Sequence, residues 1–175
     1  MSLKKGLIEV YTGDGKGKTT AALGLALRAA GHGLKTCIIQ FMKGWPNYGE
    51  LKSVGNIPEI TLRQFGGPHF VDRNNPSLQD IEMAHEALEE ARRAMLSGQY
   101  DIIVLDEINV ALDFGLLSLE EVIALLEEKP EGVELILTGR NAHPEIIKRA
   151  HLVTEMKEVK HPYREGIVAR KGIDY

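Results

Sequence analysis

The sequence predicts an α/β fold in which a mostly parallel sheet is flanked by helices on both faces. Short apolar segments alternate with helical segments along the chain, as is typical of βαβ units. A glycine-rich stretch lies between the first apolar segment and the first helical one. The chain has 175 residues, of which 43% are hydrophobic, and we expect one domain over residues 1–175.

Six short apolar segments are predicted to be the strands of this sheet. The buried ones are nearly continuous in Val, Ile and Leu, which indicates strands that are covered on both faces. In chain order the predicted strands are Leu7–Tyr11, Thr36–Phe41, Ile60–Phe65, Ile102–Leu105, Val133–Leu137 and Leu152–Met156.

Four helices are predicted between these strands. Pro76 follows Asn75 and suits the first position of a helix, because proline lacks the N–H group that is unpaired there. Ser118 and Glu121 have the spacing of a capping box. The predicted helices are Lys18–Ala30, about Pro76 to Leu96, Ser118–Glu128 and Pro144–Ala150.

The longest predicted helix has one apolar face. Charged residues of both signs occupy much of Glu82–Arg93, which indicates a solvated face. The residues expected to face the core are Ile81, Ala84, Leu88, Ala91 and Leu96.

The segment from Met42 to Asn75 is predicted to contain one strand and otherwise loop. It is rich in glycine and proline, and it contains the only tryptophan, Trp45. Long loops in a compact domain are more often functional than idle. These loops would lie at the carboxyl ends of the strands, where open α/β sheets bind ligands.

Composition restricts the class of protein. The 25 acidic and 21 basic residues give a net charge of −4, which argues against a general nucleic-acid-binding protein. No apolar stretch approaches the roughly 18 residues of a membrane span, and the start lacks a signal-peptide pattern. We therefore expect a cytoplasmic protein without nucleic-acid or membrane partners. Cys37, the only cysteine, is expected to be buried and unreactive.

The stretch TGDGKGKTT, residues 12–20, predicts a phosphate loop. Its alternating glycines expose backbone N–H groups and tolerate positive φ, so the loop can curl around an anion. Lys18 adds positive charge, and the Thr19 hydroxyl is placed to bind a magnesium ion that bridges phosphates. Thr12 stands where the usual spacing has glycine, so the loop is a variant. A glycine-rich turn without a ligand is the alternative interpretation. The predicted nucleotide contacts are Thr12, Gly13, Asp14, Gly15, Lys16, Gly17, Lys18, Thr19 and Thr20.

With this loop, the predicted fold class becomes a phosphate-loop NTPase-like α/β fold. Asp106 and Glu107 follow the fourth apolar segment, where such proteins place an acid that holds the magnesium hydration shell. Glu107 could act as a general base or a metal ligand, and a turn-capping carboxylate is the alternative. Arg140 could neutralise phosphate charge or form a surface ion pair. Arg28 lies late in the first helix, where position alone favours solvent.

Together these segments resemble the ATP:corrinoid adenosyltransferases of the bacterial cobalamin pathway. In that family the loop begins with threonine, so Thr12 supports the resemblance. Seven segments keep the order and spacing of the family: 12–22, 27–33, 40–44, 104–107, 137–140, 159–161 and 172–175.

The resemblance implies a reaction without phosphoryl transfer. The 5′-deoxyadenosyl group of ATP passes to the Co(I) centre of a corrinoid and triphosphate is released, in adenosylcobalamin biosynthesis or salvage. It implies catalytic roles for Lys18, Glu107 and Arg140, with Lys16 beside the leaving triphosphate. It also adds Arg28 to the nucleotide contacts. In the family the nucleotide lies reversed relative to other phosphate-loop enzymes.

The resemblance also implies cofactors and partners. Thr19 and Glu107 would bind Mg²⁺ or Mn²⁺ directly, and Asp106 would act through water. We expect a homodimer that takes electrons from a reduced flavoprotein. Family members carry a further N-terminal segment that folds over the site. Because this chain starts close to its first strand, we expect weaker closure or closure by a partner subunit.

Corrinoid binding is expected at the loops after the second and third strands. Family members use aromatic side chains, often a Phe and a Trp, to strip the lower ligand from cobalt. Here the second of these loops reads FGGPHFVDR, residues 65–73, without tryptophan. Phe70 could fill this role, or Phe65 by a shifted alignment, while His69 is a potential cobalt ligand. A core-filling Phe70 is the alternative. The remaining predicted corrinoid contacts are Gln40, Met42 and Trp45.

Two other classes of function remain open. A phosphate-loop ATPase or small-molecule kinase would use Glu107 as base, although no arginine-rich lid is apparent. A nucleotide-gated binding module would use residues 42–75 as a partner surface. The reaction products distinguish the three classes, since they would be triphosphate, ADP or none.

Overall fold

A six-stranded sheet forms the centre of the computed structural model, which describes residues 3–175. The two preceding residues of the predicted domain lie outside this range. The strands are β1 (Ile8–Thr12), β2 (Thr36–Phe41), β3 (Ile60–Phe65), β4 (Ile102–Asp106), β5 (Glu134–Thr138) and β6 (Leu152–Glu155). Their order is β3-β2-β4-β5-β1-β6, and each neighbouring pair is parallel. The predicted parallel α/β sheet is confirmed, with strand ends that differ from the prediction by one residue at most.

Helices pack on both faces of this sheet. They are α1 (Lys18–Ala30), α2 (Gly49–Val54), α3 (Leu78–Leu96), α4 (Ile108–Asp113), α5 (Leu119–Glu127) and α6 (Pro144–Arg149), and a 3₁₀ turn covers Pro162–Glu165. The four predicted helices are present. The sequence missed α2 and α4, because six residues are too few to show a helical period. Within residues 3–175, no helix has both the length and the apolar character needed to cross a membrane.

Successive strand residues contribute to two separate apolar layers. In β4, Ile103 and Leu105 pack in the layer that contains α3, whereas Ile102 and Val104 pack in the layer that contains α1. This alternation follows from the two-residue period of a strand. Cys37 of β2 is fully buried, and burial raises the pKa of its thiol to about 11. The burial of Cys37 confirms the prediction, and the raised pKa keeps the thiol in its less reactive protonated form.

Two details of α3 differ from the prediction. The helix starts at Leu78 rather than at Pro76, because the Ser77 hydroxyl accepts a hydrogen bond from the backbone N–H of Asp80 at 3.1 Å and caps the helix. Leu96 is 53% exposed, whereas Met95 is 1% exposed and faces the core. A helix turns about 100° per residue, so Met95 lies on the same face as the buried Ala91 four positions earlier. Leu96 lies outside that face.

A capping box also starts α5. The Ser118 hydroxyl accepts from the backbone N–H of Glu121, and the Glu121 carboxylate accepts from both the hydroxyl and the backbone N–H of Ser118. The side-chain hydrogen bond from Ser118 is the main cause that lowers the pKa of Glu121. The charged form of Glu121 thus stabilises the folded state, and protonation removes this contribution.

We predict that Ser118→Ala destabilises the protein by about 1 kcal/mol at pH 7. Because the folded pKa of Glu121 lies below its unfolded value, the carboxylate contribution is present above about pH 4.3 and is lost as pH falls through the folded pKa. The loss of unfolding free energy caused by Ser118→Ala, measured by urea denaturation, should therefore be smaller below pH 4 than at pH 7. Ser118→Thr keeps the hydroxyl and serves as the control. A penalty that is equal at both pH values would contradict the role of the carboxylate.

Candidate functional site

The loop between β1 and α1 is held in a tight curl. Gly13 and Gly17 have φ values of 94° and 121°, a region that other residues rarely adopt. Gly15 donates its N–H to the carbonyl oxygen of Met156 at 2.6 Å, and a Cβ at Gly15 would lie 2.6 Å from the same atom. The loop therefore packs directly on the backbone that follows β6, which requires glycine at this position.

Lys18 places a positive charge at the centre of this curl. Its side chain is buried, and its Nζ donates to the carbonyl oxygens of Gly13 and Gly15, each at 2.7 Å. Burial lowers the pKa of Lys18, and the nearby charge of Glu107 opposes this effect. The ammonium group lies at the start of α1, where the helix dipole adds further positive potential. A concentration of positive potential of this kind suits an anionic ligand.

The buried carboxylate of Asp106 collects donors from four parts of the chain. Its Oδ1 accepts from the hydroxyls of Thr19 at 2.8 Å and Thr138 at 2.7 Å. Its Oδ2 accepts from Lys43 Nζ at 2.7 Å and Gln40 Nε2 at 3.1 Å. Burial alone would raise the pKa of Asp106, but the charge and hydrogen bond of Lys43 and the two hydroxyls outweigh it and lower the pKa. The carboxylate is therefore ionised and fixed in orientation.

Glu107 turns the chain from β4 into α4. Its φ of 67° is uncommon for a residue with a side chain, and its backbone N–H donates to the Thr138 hydroxyl at 3.0 Å. Burial, followed by the charge of Asp106, raises the pKa of Glu107. Non-glycine residues in this conformation are concentrated at functional sites.

Two cavities meet at the phosphate loop. The larger, of about 980 Å³, runs from the loop along α1 and α2. The smaller, of about 510 Å³, lies beside α4 and the end of β5. Lys18, Glu107 and Arg140 line both cavities. The structure thus brings together the three residues for which the sequence analysis expected catalytic roles.

Some expected nucleotide contacts do not line either cavity. The Thr12 hydroxyl accepts from the backbone N–H of Ala142 at 3.2 Å, and Thr12 is buried. Gly13 contributes its carbonyl to Lys18, as described above. Arg28 is exposed and lines neither cavity. The residues of the loop that line the larger cavity are Asp14, Gly15, Lys16, Gly17, Lys18, Thr19 and Thr20.

Of the six expected corrinoid contacts, Phe70 is the one that lines the larger cavity. Its side chain is fully exposed, at 102%, so the alternative of a core-filling Phe70 is wrong. His69 beside it is also exposed. Phe65 and Met42 pack against the core.

The other two expected corrinoid contacts have partners within the protein. Gln40 is fully buried, and its side-chain amide donates a hydrogen bond to Asp106. It therefore helps to orient that carboxylate. Trp45 packs on the rings of Tyr48 and Tyr175, with centroid distances of 5.5 Å and 5.1 Å.

The loops after β2 and β3 touch through glycine backbones. A Cβ at Gly44 would collide with the carbonyl oxygen of Gly66, and a Cβ at Gly66 would lie 2.5 Å from the backbone nitrogen of Lys43. Only glycine fits at these positions. The contact fixes Lys43 relative to the loop that carries Phe70.

The C-terminal tail, residues 161–175, forms one wall of the larger cavity. Lys16 Nζ donates to the carbonyl oxygen of Ile173 at 2.8 Å and forms an ion pair with Asp174. The hydrogen bond from Lys16 is the main cause that lowers the pKa of Asp174 to about 2. The sequence analysis assigned no role to this tail, because nothing local marks a contact between residues 158 positions apart.

Lys43 and Thr138 were also missed. Lys43 lies in one of the segments that carried the family resemblance, and Thr138 lies in another. Their positions just after the ends of two predicted strands could have indicated a role, because β2 and β5 are the neighbours of β4 in the sheet. Residues that end neighbouring parallel strands meet at one edge, which places both side chains beside Asp106.

The donor set at this edge suits a hard divalent cation. Thr19, Asp106 and Glu107 supply hydroxyl and carboxylate oxygens, which Mg²⁺ and Mn²⁺ prefer. Within residues 3–175, no three His, Cys, Asp or Glu side chains converge on one point. A cation here would thus take most of its ligands from phosphate and water, as Mg²⁺ does in nucleotide sites.

The chain is similar to one group of proteins over nearly its whole length. Residues 4–175 match the family described as ATP:corrinoid adenosyltransferase BtuR/CobO/CobP. A corrinoid adenosyltransferase of Sinorhizobium sp. is 39% identical over 98% of this chain and 81% of the relative. Corrinoid adenosyltransferases of Escherichia coli K12 and Pseudomonas aeruginosa are 39% and 36% identical over 98% of this chain, and the matches cover 87% and 85% of those proteins.

We predict that Lys43→Met destabilises the protein by about 3 kcal/mol, because it leaves the buried charge of Asp106 without its countercharge. The double variant Lys43→Met/Asp106→Asn should recover part of this loss, since it removes both charges. Urea denaturation of the three variants measures the effect. Arg73→Met is the matched control, because Arg73 pairs with Asp113 at the surface and should cost less than about 1 kcal/mol. Equal losses for Lys43→Met and Arg73→Met would be inconsistent with the network.

Proposed function

The chain belongs to the ATP:corrinoid adenosyltransferase family, and we propose that it transfers the 5′-deoxyadenosyl group of ATP to a corrinoid where the two cavities meet. The Co(I) centre of the corrinoid supplies an electron pair to the 5′ carbon of ATP. The bond between this carbon and the triphosphate oxygen breaks, and its electron pair leaves with triphosphate. Cobalt ends as Co(III) bonded to carbon. The observation that carries the proposal is the set Lys18, Glu107 and Arg140, which faces both cavities.

The phosphate loop would stabilise the leaving group. Negative charge grows on the triphosphate oxygen as its bond to carbon breaks, so donors fixed around that oxygen favour the transition state. Lys18 is already held at the centre of the loop by Gly13 and Gly15. A polyphosphate would replace these carbonyls as the partner of the ammonium. Arg140 would neutralise further phosphate charge from the cavity wall.

The carboxylates would serve the cation that accompanies ATP. A bound Mg²⁺ or Mn²⁺ would neutralise charge on the phosphate oxygens. Thr19 and Glu107 are the proposed direct ligands. Asp106 would act through water, because its two oxygens already accept four hydrogen bonds. One of these hydrogen bonds is donated by the Thr19 hydroxyl, whose oxygen lone pairs stay available to the cation.

The part of the larger cavity away from the phosphate loop is the proposed corrinoid site, since the loop residues that line its other part would hold the triphosphate. Apolar side chains of α1 and α2 line it, and Phe70 lies on its rim. We propose that Phe70 packs against the lower face of the corrinoid and keeps water off cobalt, with His69 outside coordination range. The exposure of Phe70 supports this role, because an aromatic side chain with no packing partner is free to contact a ligand.

The family resemblance supports proposals for the electron donor, the localisation, the oligomeric state and the acceptor. The electron that converts Co(II) to Co(I) would come from a reduced flavoprotein. The enzyme would act as a cytoplasmic homodimer. The physiological acceptor would be cobalamin or one of its corrinoid precursors.

We predict that the protein, ATP, Mg²⁺ and chemically reduced cob(I)alamin yield adenosylcobalamin and triphosphate in equal amounts. The corrinoid spectrum and an assay of released polyphosphate measure the two products. Lys18→Ala should lower the rate by about 10²–10³, the typical cost of removing one donor to a developing charge. Lys52→Ala, an exposed lysine of α2, is the control. ADP as the main product, without a cobalt–carbon bond, would exclude this function.

Phe70→Ala should leave stability within about 0.5 kcal/mol of the wild type, because the side chain is fully exposed. Activity from Co(II) with a mild reductant should fall sharply, while activity from pre-reduced Co(I) should survive better. Val159→Ala, another exposed apolar residue, controls for a general effect of losing surface hydrophobicity. Equal losses in the two assays would remove Phe70 from the reduction step.

A further inference from the structure

The tail presents a carboxylate to the phosphate loop. Asp174 pairs with Lys16, and its other hydrogen bonds come from the backbone N–H of Arg170 at 2.9 Å and the Arg170 side chain at 3.3 Å. The neighbouring carbonyl of Ile173 also accepts from Lys16. A short turn of the tail thus holds an anion against a loop residue that also lines the larger cavity.

We propose that Asp174 competes with triphosphate for Lys16 and thereby promotes release of the triphosphate product. The proposal rests on the proposed function, since it takes triphosphate to be the group that leaves the loop. Two anions at one ammonium repel each other, so a docked Asp174 and a bound triphosphate disfavour one another. The carboxylate is part of the same chain, and tethering gives it a high effective concentration at the loop.

The ion pair between Lys16 and Asp174 is expected to be weak enough for triphosphate to displace it. The side chains of Lys16 and Asp174 are 45% and 23% exposed, and exposed ion pairs shift equilibria by about fivefold or less. A pair of this strength yields to a multiply charged triphosphate and re-forms when that ligand departs. The apparent affinity for triphosphate is then the intrinsic affinity multiplied by the fraction of molecules in which the tail is undocked.

A reporter of tail docking lies beside Asp174. The next residue, Tyr175, packs on Trp45 with a centroid distance of 5.1 Å. Trp45 is the only tryptophan of the chain and is 37% exposed. When the tail leaves, Trp45 loses this neighbour and gains water. Its fluorescence emission should then shift to longer wavelength.

The test is a titration of inorganic triphosphate with Mg²⁺ into wild type, Asp174→Asn and Glu165→Gln. Asparagine keeps an acceptor for Arg170 but removes the charge. Glu165 belongs to the same tail and pairs with Lys160 at 3.0 Å, so Glu165→Gln controls for loss of one negative charge. We expect Asp174→Asn to bind triphosphate about two- to fivefold more tightly than wild type, and Glu165→Gln to match wild type. Triphosphate should also inhibit turnover by Asp174→Asn at lower concentration.

The wild-type emission of Trp45 should shift as triphosphate saturates the loop, and Asp174→Asn should show part of this shift without ligand. Equal or weaker binding by Asp174→Asn, no binding by any variant, or an emission that triphosphate leaves unchanged would overturn the competition. Failure of the proposed function would be seen separately, as absence of cobalt–carbon bond formation in the product assay. The binding titration contains no corrinoid and does not depend on that reaction.

Discussion

The buried carboxylate of Asp106 requires hydrogen-bond donors, and this requirement organises the site. An ionised group without water must be matched by charge and by donors around both oxygens. Here the donors come from α1, the end of β2, the loop that follows it and the end of β5. Each donor fixes its own segment relative to β4. The phosphate loop and the neighbouring strand ends are therefore held in fixed positions relative to one another.

Sheet order explains why the phosphate loop, Glu107 and Arg140 lie close together. The phosphate loop follows β1, Glu107 follows β4 and Arg140 follows β5, and these three strands lie side by side in the order β4-β5-β1. Their carboxyl ends open on the same edge. Thr138 connects two of them, because it donates to Asp106 and accepts from the backbone of Glu107. The unusual backbone of Glu107 is thus supported from the neighbouring strand.

Much of the fold and the centre of the site could be predicted from the sequence. Continuous Val, Ile and Leu runs identify buried strands, and the loop TGDGKGKTT carries its chemistry in its own residues. What escaped prediction depends on contacts between distant segments or on short helices. Lys43 acquires its role only where β2 meets β4, and Asp174 only where the tail folds over the loop. Trp45 packs on Tyr48 and Tyr175, and its contact with a corrinoid stays a prediction.

The contact between Gly44 and Gly66 divides the neighbouring loop into two parts with different freedom to vary. At Gly66 the chain is locked against the backbone beside Lys43, so changes there would disturb the carboxylate network. A few residues later, His69 and Phe70 project from the surface with little packing. Substitutions at 69 and 70 can therefore change the exposed surface of this loop while the contact that holds Lys43 stays intact. The two glycines thus separate a weakly packed loop segment from the tightly packed carboxylate network.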